Sequence, residues 1–259
     1  MATSSARSAR GGGPAKPSRS SSDDGSGALA RQRRTQIIAA TSEVIIRSGV
    51  DGARLKDIAD EAGVSLGMVQ HYFRHREELV VTTMSSLLEL TLATWRVVSA
   101  REPDPVRRLF ALLRFQVSGW APFAKRWSFW VEFWSAANRH ATLNAHAKEI
   151  YRAWTEPFRT VLADGVDAGA FRPTSTPDLL ILRLMCLSDG AAVRVLFDPE
   201  GLTPDGMFDL LIDTACVALG IDDTARRQAL SALPDVISVN YPDAPPAADT
   251  IDWSSVELP

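Results

Sequence analysis

The sequence predicts an all-α protein with an N-terminal three-helix helix-turn-helix domain and a larger helical domain after it. Apolar residues recur at three- and four-residue spacing along most of the chain, and no segment shows convincing strand alternation. Two short helical patterns flank a glycine within 55–79. We therefore divide the chain into a disordered basic leader (1–27), the helix-turn-helix domain (28–75), a helical body (76–233) and a flexible acidic tail rich in proline (234–259).

The helix-turn-helix is predicted from its turn outward. Gly63 ends the first short helix, because glycine adopts the left-handed C-cap conformation without steric cost. Ser65 then offers a hydroxyl that can cap a second helix over 66–72. A helix held in this way fits the DNA major groove, which is about 12 Å wide, so the segment indicates double-stranded DNA as a partner. The residues expected to face inward are Ile58, Ala59, Ala62, Val69 and Phe73.

The other helices follow from apolar spacing and from the proline and glycine residues between them. A first helix is predicted over 28–48, ended by Gly49, and a long fourth helix over 76–100. Pro157 is expected to kink one of the body helices. Those body helices are predicted at 106–120, 123–138, 143–168, 177–197 and 204–219.

Charge is unevenly distributed along a chain whose formal net charge is only −3. Residues 1–35 carry seven Lys and Arg against two Asp, whereas residues 234–259 carry five acidic residues and no basic one. A basic arm beside a helix-turn-helix suits a phosphate backbone, although a solvated leader gives the same pattern. We expect Arg31, Arg33 and Arg34 to contribute to DNA binding because they adjoin the motif.

Several classes of site and location are not expected. Cys186 and Cys216 lie in apolar helical runs and indicate buried thiols in a reducing cytoplasm. The two Cys and four His have no metal-ligand spacing, and no glycine-rich phosphate loop is present, so neither a metal nor a cofactor is expected. The N-terminus has no apolar signal segment, and no apolar run approaches the roughly 18 residues of a membrane span.

The run from Arg34 to Leu79, about a fifth of the chain, resembles the N-terminal DNA-binding domain of TetR-family transcriptional regulators. The residues that carry the resemblance are D-I-A at 57–59, A-G-V-S at 62–65, Gly67, H-Y-F at 71–73 and R-E-E-L at 76–79. The H-Y-F ending and the Trp/Phe-rich segment at 127–134 are similar to the BetI-like branch of that family. The resemblance implies a homodimer, with the last two body helices of each protomer forming a four-helix bundle.

The resemblance and the exposed positions together define candidate DNA-binding residues. We expect Met68, Gln70 and His71 to contact bases and the basic residues around them to contact phosphates. The family usually has Thr where Arg54 stands and Tyr where Gln70 stands, so this chain departs from the pattern at two backbone contacts. The full candidate set is Arg33, Arg34, Arg54, Lys56, Ser65, Leu66, Gly67, Met68, Gln70, His71, Tyr72 and Arg76.

The densest aromatic segment is R-W-S-F-W-V-E-F-W at 126–134, which places rings on two faces of one helix. Core packing and a ring-lined ligand pocket both account for this pattern, and we expect at least one ring to contact a ligand. Such a pocket suits flat apolar molecules or cations, and the BetI resemblance implies choline-like amines. Glu132 either neutralises a cationic ligand or faces water. The candidate ligand-binding residues are Trp95, Trp120, Trp127, Trp130, Phe133, Trp134, Trp154 and Asp189.

Two body helices are the candidates for the dimer surface. The segment 179–196 is apolar nearly all round, and 208–219 is apolar apart from two Asp. Such helices are central or lie in an interface. Asp189 within the first of them is expected to pair with Arg183 or Arg194, or else to contact ligand; the ion pair is the favoured interpretation, because buried charges are usually paired.

These patterns predict a ligand-responsive transcriptional regulator, a repressor that binds a palindromic operator as a dimer and is released by a small-molecule effector. One rival is an enzyme, but the scattered His, Cys and carboxylates form no recognisable catalytic arrangement. A second rival is an interaction protein whose degenerate helix-turn-helix no longer binds DNA specifically. Strongly salt-dependent binding to a polyanionic resin would favour the regulator over this second rival.

Overall fold

The computed structural model describes residues 20–119, 121–235 and 237. Within these ranges the chain forms ten α-helices and no strand, so the all-α prediction is confirmed. The helices are α1 (Ser20–Gly52), α2 (Leu55–Glu61), α3 (Leu66–Tyr72), α4 (Arg76–Arg101), α5 (Pro105–Val117), α6 (Phe123–Ala137), α7 (Ala141–Asp167), α8 (Pro177–Phe197), α9 (Pro204–Leu219) and α10 (Asp223–Ser231).

Helix α1 differs from its prediction at its start. It begins at Ser20, eight residues before the predicted start, in polar sequence whose spacing carries no apolar signal. At Gly49 the backbone leaves the helical conformation, with φ of 71° and ψ of 166°, so the first continuous helix ends there as the sequence predicts. Only a short helical turn follows, up to Gly52. Ile37, Ile38 and other apolar residues of α1 are buried, and α1 packs on α2, α4 and α6.

Helix α4 links the head, formed by α1 to α3, to the body, formed by α5 to α10. It buries residues along its whole length, from Leu79 to Val98. Three of these are threonines whose hydroxyls donate to the carbonyl four residues earlier: Thr83, Thr91 and Thr94. Those hydrogen bonds satisfy the buried hydroxyls without a tertiary partner, so α4 can pass through an apolar interior.

The body is built around α5, which packs on α7 and α9. At its C-terminal end, the fully buried Arg126 of α6 donates hydrogen bonds to the carbonyls of Phe115, Gln116 and Ala121 at 2.9–3.1 Å. Burial lowers the pKa of Arg126 to about 10, so its guanidinium remains charged. A cation at these carbonyls complements the negative end of the α5 dipole and fixes α6 to α5.

Helix α10 is not predicted by the sequence. Only Ala229 of its nine residues is buried, so it has no apolar period to detect. Its start is nevertheless encoded locally, because the Asp222 carboxylate accepts hydrogen bonds from the backbone N–H groups of Thr224 and Ala225, both at 2.8 Å. By contrast, α8 and α9 each begin with proline, and their observed bounds match the predicted ones. No helix in the described part of the chain is long and apolar enough to cross a membrane.

Candidate nucleic-acid interface and ligand cavity

The α2–α3 turn has the geometry that its sequence predicts. Gly63 has φ of 62°, in the left-handed region, and the next N–H, of Val64, donates to the Ala59 carbonyl at 3.0 Å. The Ser65 hydroxyl accepts a hydrogen bond from the Met68 N–H at 3.2 Å and so caps α3. The Gln36 amide of α1 donates to the Ala62 carbonyl at 2.6 Å, which ties this turn to the rest of the head.

Helix α3 presents one buried and one exposed side. Val69 is fully buried, and Phe73, which follows the helix, is 1% exposed. The opposite side is in contact with solvent. Leu66 and Met68 on that side are 40% and 36% exposed. The exposed residues of α3 are Leu66, Gly67, Met68, Gln70 and His71, and Tyr72 is half-buried with its ring edge against His71.

Basic side chains surround this exposed side. Arg54 immediately precedes α2, Lys56 lies in its first turn, and both are exposed. Arg33 of α1 donates to the Gln36 side chain at 2.8 Å, while the Arg34 guanidinium lies 5.6 Å from the centre of the Phe73 ring. Arg34 is therefore placed beside the end of α3, and Arg33 is held along α1.

Arg76 occupies a different environment from the other basic candidates. It is half-buried, and its Nη1 donates to the Val50 carbonyl near the end of α1 at 2.5 Å. This contact joins the start of α4 to α1 across the bend at Gly49. A phosphate role for Arg76 would thus be combined with a structural one.

Helix α6 of the body lies along α1 of the head and is joined to it near both ends. Lys125 at the start of α6 forms an ion pair with Glu43 at 2.5 Å. Beyond the end of α6, Arg139 and His140 contact the two carboxylate oxygens of Asp51 at 2.6 and 2.8 Å. The hydrogen bond from Arg139, followed by that from His140, holds the pKa of Asp51 below its ordinary value.

Glu132 contacts the head between those two junctions. A Cβ at Gly49 would lie 2.9 Å from Glu132 Oε2, so the Glu132 carboxylate lies directly against α1. The positive φ of Gly49 is what favours glycine at this position. Glu132 therefore lies at the head–body contact.

A small cavity lies between α4, α5 and α7. Trp95 and Trp154 each expose 8% of their surface, and Phe158 exposes 1%. The free volume is about 10 Å³, which is room for roughly one water molecule. The residues that line the cavity are Thr91, Leu92, Trp95, Leu112, Phe115, Gln116, Trp154, Pro157 and Phe158.

Of the predicted ligand-binding residues that the structure describes, two line this cavity, Trp95 and Trp154. The rings of α6 are buried on both faces of that helix, and Trp127 donates its indole N–H to the Gln116 carbonyl at 2.9 Å. Trp130 packs on Trp154 from behind, with their ring centres 5.2 Å apart. Phe133 is fully buried, Trp134 stacks on Tyr151, and Trp120 lies outside the described residues.

Asp189 does not form the ion pair that the sequence favours. Its Oδ2 accepts a hydrogen bond from the Tyr151 hydroxyl at 2.8 Å, while Arg194 pairs with Asp198 at 2.5 Å. The prediction that Asp189 pairs with Arg183 or Arg194 is therefore wrong. Its carboxylate is hydrogen-bonded to Tyr151 of α7 instead. Burial raises the pKa of Asp189 to about 6, and the hydrogen bond from Tyr151 opposes that shift.

The sequence missed several residues of the cavity. Phe115 and Gln116 lie near the end of α5, and Thr91 lies on α4. Their sequence signal is weak, because each belongs to an ordinary apolar helical pattern and only the packing of three helices brings them together.

A larger groove, of about 310 Å³, lies between the end of α7 and the start of α8. It is open to solvent, and its Arg159 is paired with Asp178.

A solvent-facing helix-turn-helix, joined to a helical body with an internal aromatic cavity, defines the class of DNA-binding transcriptional regulators with a sensory body. Comparison with known proteins agrees. Residues 37–82 match the family of bacterial regulatory proteins named tetR, and residues 105–215 match the C-terminal domain of BetI-type transcriptional repressors. The chain belongs to the TetR family of transcriptional regulators.

Two curated relatives show the extent of the similarity. The regulator BetI of Vibrio vulnificus is 30% identical over 172 residues, which are 66% of this chain and 84% of the relative. The regulator PksA of Bacillus subtilis is 27% identical over 204 residues, which are 76% of this chain and 94% of the relative. Similarity thus extends through both the head and most of the body.

Solved structures with the same fold include one with a bound ligand. A transcriptional regulator from Saccharomonospora viridis in complex with choline is 26% identical, with a TM-score of 0.62 over 73% of this chain and 96% of that one. A transcriptional regulator from Rhodococcus is also 26% identical, with a TM-score of 0.59 over 72% of this chain and 96% of that one. The TetR-family fold therefore accounts for nearly the full length of both neighbours.

Proposed function

We propose that this regulator is a repressor that binds a near-palindromic operator as a homodimer and is released by a small-molecule effector bound in the body. The main support for this proposal is that α3 has one buried side and one side that faces solvent. Its buried Val69 fixes the helix to the head, while Met68, Gln70 and His71 face solvent. A short helix held in this way can enter a major groove with three side chains directed at base edges.

Each exposed residue has a distinct role in this proposal. Gln70 reads an adenine edge, since its amide both donates and accepts hydrogen bonds, and Met68 and His71 contact neighbouring bases. Phosphates are held by basic and polar groups around α3, which set the register of the helix without reading sequence. Those groups are Arg33, Arg34, Arg54, Lys56, Ser65, Tyr72 and Arg76.

The proposed partner for the dimer is a second copy of the chain, packed on α8 and α9. Val217 of α9 is 80% exposed, and Phe197 and Leu182 of α8 are 67% and 58% exposed. Leu179, Val193 and Leu210 extend the same two helices with further exposed apolar surface. An apolar surface of this extent on a soluble domain indicates an interface, and two α8–α9 pairs would form a four-helix bundle.

Helix α6 supplies the proposed route from effector to DNA. Its Trp130 packs on the cavity residue Trp154, while Lys125 at its start and Arg139 just after its end pair with Glu43 and Asp51 of α1. An effector that separates the cavity rings would displace α6 and, through α1 and α4, change the spacing of the two heads. Only an effector with different affinities for the two spacings can shift DNA binding. We place this regulation in the cytoplasm, where DNA is accessible.

The proposal can be tested by selecting DNA fragments that the full-length protein binds from a random duplex library. The enriched fragments are then footprinted. We expect two related half-sites whose centres lie roughly one helical turn apart, about 34–36 Å, or a multiple of that distance. A single unrepeated site would contradict the dimeric arrangement. Failure to enrich any sequence would favour an interaction protein that has lost specific DNA binding.

A further inference from the structure

The described chain closes on a residue that is fixed to the end of α5. Ile237 is fully buried, and its N–H donates to the Ser118 carbonyl at 3.0 Å. The Ser118 hydroxyl in turn donates to the carbonyl of Asp235. Since Ser118 is the residue that follows the last turn of α5, the sequence beyond Ile237 starts from a defined point on the body.

That point lies at the head end of the body. Arg126 of α6 binds two carbonyls in the last turn of α5, and the preceding residue, Lys125, pairs with Glu43 of α1. Arg34 lies nine residues before Glu43 in α1, about 14 Å away at the helical rise. Because the Arg34 guanidinium contacts the Phe73 ring just after α3, the end of α5 is on the order of 30 Å from α3.

The sequence after Ile237 is acidic and partly apolar. Residues 238–259, which lie outside the described residues, carry four acidic residues and no Lys or Arg. Carboxylates alternate with large apolar side chains in D-T-I-D-W at 249–253. An extended chain covers about 40–50 Å over the distance in sequence from Ile237 to this segment. The length of chain is therefore sufficient for residues 249–253 to reach α3 of the same head.

The exposed side of α3 complements that composition. Leu66 and Met68 present apolar surface, and the exposed Arg54 and Lys56 lie beside them on α2. Residues 28–75 contain seven Lys and Arg against five Asp and Glu. Three of those five acids are already in ion pairs: Glu43, Asp51 and Glu61. Apolar side chains flanked by positive charge suit a segment in which apolar residues alternate with carboxylates.

We propose that residues 249–253 bind the exposed side of α3 in their own head and compete there with DNA. The carboxylates of Asp249 and Asp252 take the place of phosphates, while Ile251 and Trp253 cover the apolar side chains of α3. The contact rests on the proposed function, because it uses the surface assigned to DNA. An intramolecular ligand acts at an effective concentration of about a millimolar, so it suppresses weak nonspecific binding while a tight operator displaces it.

Carbodiimide coupling of the full-length protein tests the contact without operator DNA. This reagent joins a carboxylate directly to a lysine amine when the two touch, and exposed lysines are present both on the head, at Lys56, and on α7, at Lys148. We expect Asp249 and Asp252 to couple to Lys56 at least about fivefold more than to Lys148. Excess nonspecific duplex DNA should abolish that preference. Equal coupling to both lysines, or coupling to Lys56 that DNA leaves unchanged, would overturn the proposal.

Neutralising the two carboxylates tests the effect on DNA binding. The double variant Asp249→Asn, Asp252→Asn should bind a nonspecific duplex about three- to tenfold more tightly than the parent at low salt. The difference should disappear as salt increases, because salt also weakens the contact between the acidic segment and the head. Fluorescence anisotropy of the labelled duplex across a salt series measures both effects. An unchanged affinity at low salt would contradict the competition.

A control variant separates this effect from net charge. Asp167→Asn with Asp223→Asn changes the charge by the same amount at two exposed positions. Asp167 ends the 27-residue helix α7, which starts at the head, and Asp223 follows α9, whose end contacts Arg172 beyond α7. We expect this control to change the affinity less than about twofold, because both sites are more than a Debye length from the head. An equal gain in the two double variants would assign the effect to net charge and overturn the proposal.

These measurements fail separately from the selection of operators. If random DNA yields no operator while nonspecific duplex still displaces the coupling to Lys56, the repressor proposal is wrong and the contact of residues 249–253 with the head stands. If an operator is enriched but coupling to Lys56 and Lys148 is equal, the contact is absent and the repressor proposal stands.

Discussion

Asp189 carries a buried carboxyl whose hydrogen-bond partner is the Tyr151 hydroxyl. Burial raises its pKa to about 6, whereas aspartate in an unfolded chain titrates near 3.9. Between those values the folded protein holds a proton that the unfolded chain has released. The free energy of unfolding should therefore fall as pH rises from about 4 to 6, by at most about 3 kcal/mol.

Asp189→Asn removes this dependence because an amide does not ionise. We expect the variant to be about 1–3 kcal/mol more stable than the parent at pH 7.5, with the difference shrinking toward pH 4. Urea denaturation at several pH values measures the effect. Asp213→Asn is the control, since Asp213 is exposed and paired with Arg226 at 2.6 Å. A stability difference that does not change with pH would show that burial of this carboxyl is not its cause.

Gln70 is the residue at which base recognition is tested most directly. Gln70→Ala should lose discrimination at one base pair in each half-site, at a cost of about 1–3 kcal/mol for the preferred base. Competition between operators with single base-pair changes provides the measurement. Lys56→Ala is the matched comparison. We expect it to weaken binding to all DNA sequences alike and to reduce the salt dependence of the affinity. If Gln70→Ala weakened binding to every operator equally, the Gln70 side chain would instead contact the DNA backbone.

At the scale of helices, α6 has two functions in one element. Its rings are buried on both faces of the helix, while Lys125 at its start and Arg139 just beyond its end pair with Glu43 and Asp51 of α1. Arg126 and Trp127 hold it to the carbonyls at the end of α5. In the proposed mechanism, these anchors would make α6 move as a unit, so a displacement at the cavity would reach the head.

Asp51→Asn tests that connection. The change weakens contacts with both Arg139 and His140, and these residues are exposed enough that global stability should change little. We expect operator affinity to change about fivefold while affinity for nonspecific DNA is preserved. Glu61→Gln is the control, because it breaks a comparable exposed pair with Arg47 inside the head. An identical effect of the two variants would contradict a specific role for the head–body contact.

At the scale of the whole molecule, the exposed apolar surface of α8 and α9 determines assembly in this account. Val217→Glu places a charge where the side chain is 80% exposed, so the folded protomer should tolerate it. We expect the variant to be monomeric in light scattering and to lose high-affinity operator binding. Val166→Glu, on α7, is the control and should remain dimeric. A dimeric Val217→Glu protein would place the interface elsewhere.

The features that the sequence predicted are those with local causes. Gly63 and Ser65 determine the α2–α3 turn by backbone conformation and capping, and prolines at 177 and 204 determine the starts of α8 and α9. The cavity could not be predicted in the same way, because it depends on which residues of α4, α5 and α7 meet. The partner of Asp189 likewise depends on tertiary packing, and α10 lacks an apolar period.

We propose that the exposed side of α3 binds a specific operator as part of a dimer. Fluorescence anisotropy with labelled DNA from upstream of the gene, over a salt series with excess nonspecific competitor, is the first experiment for this binding. We predict competitor-resistant binding at two protomers per site, with affinity that decreases steeply as salt increases. Binding that the competitor abolishes, on this DNA and on fragments selected from random sequence, would contradict the claim.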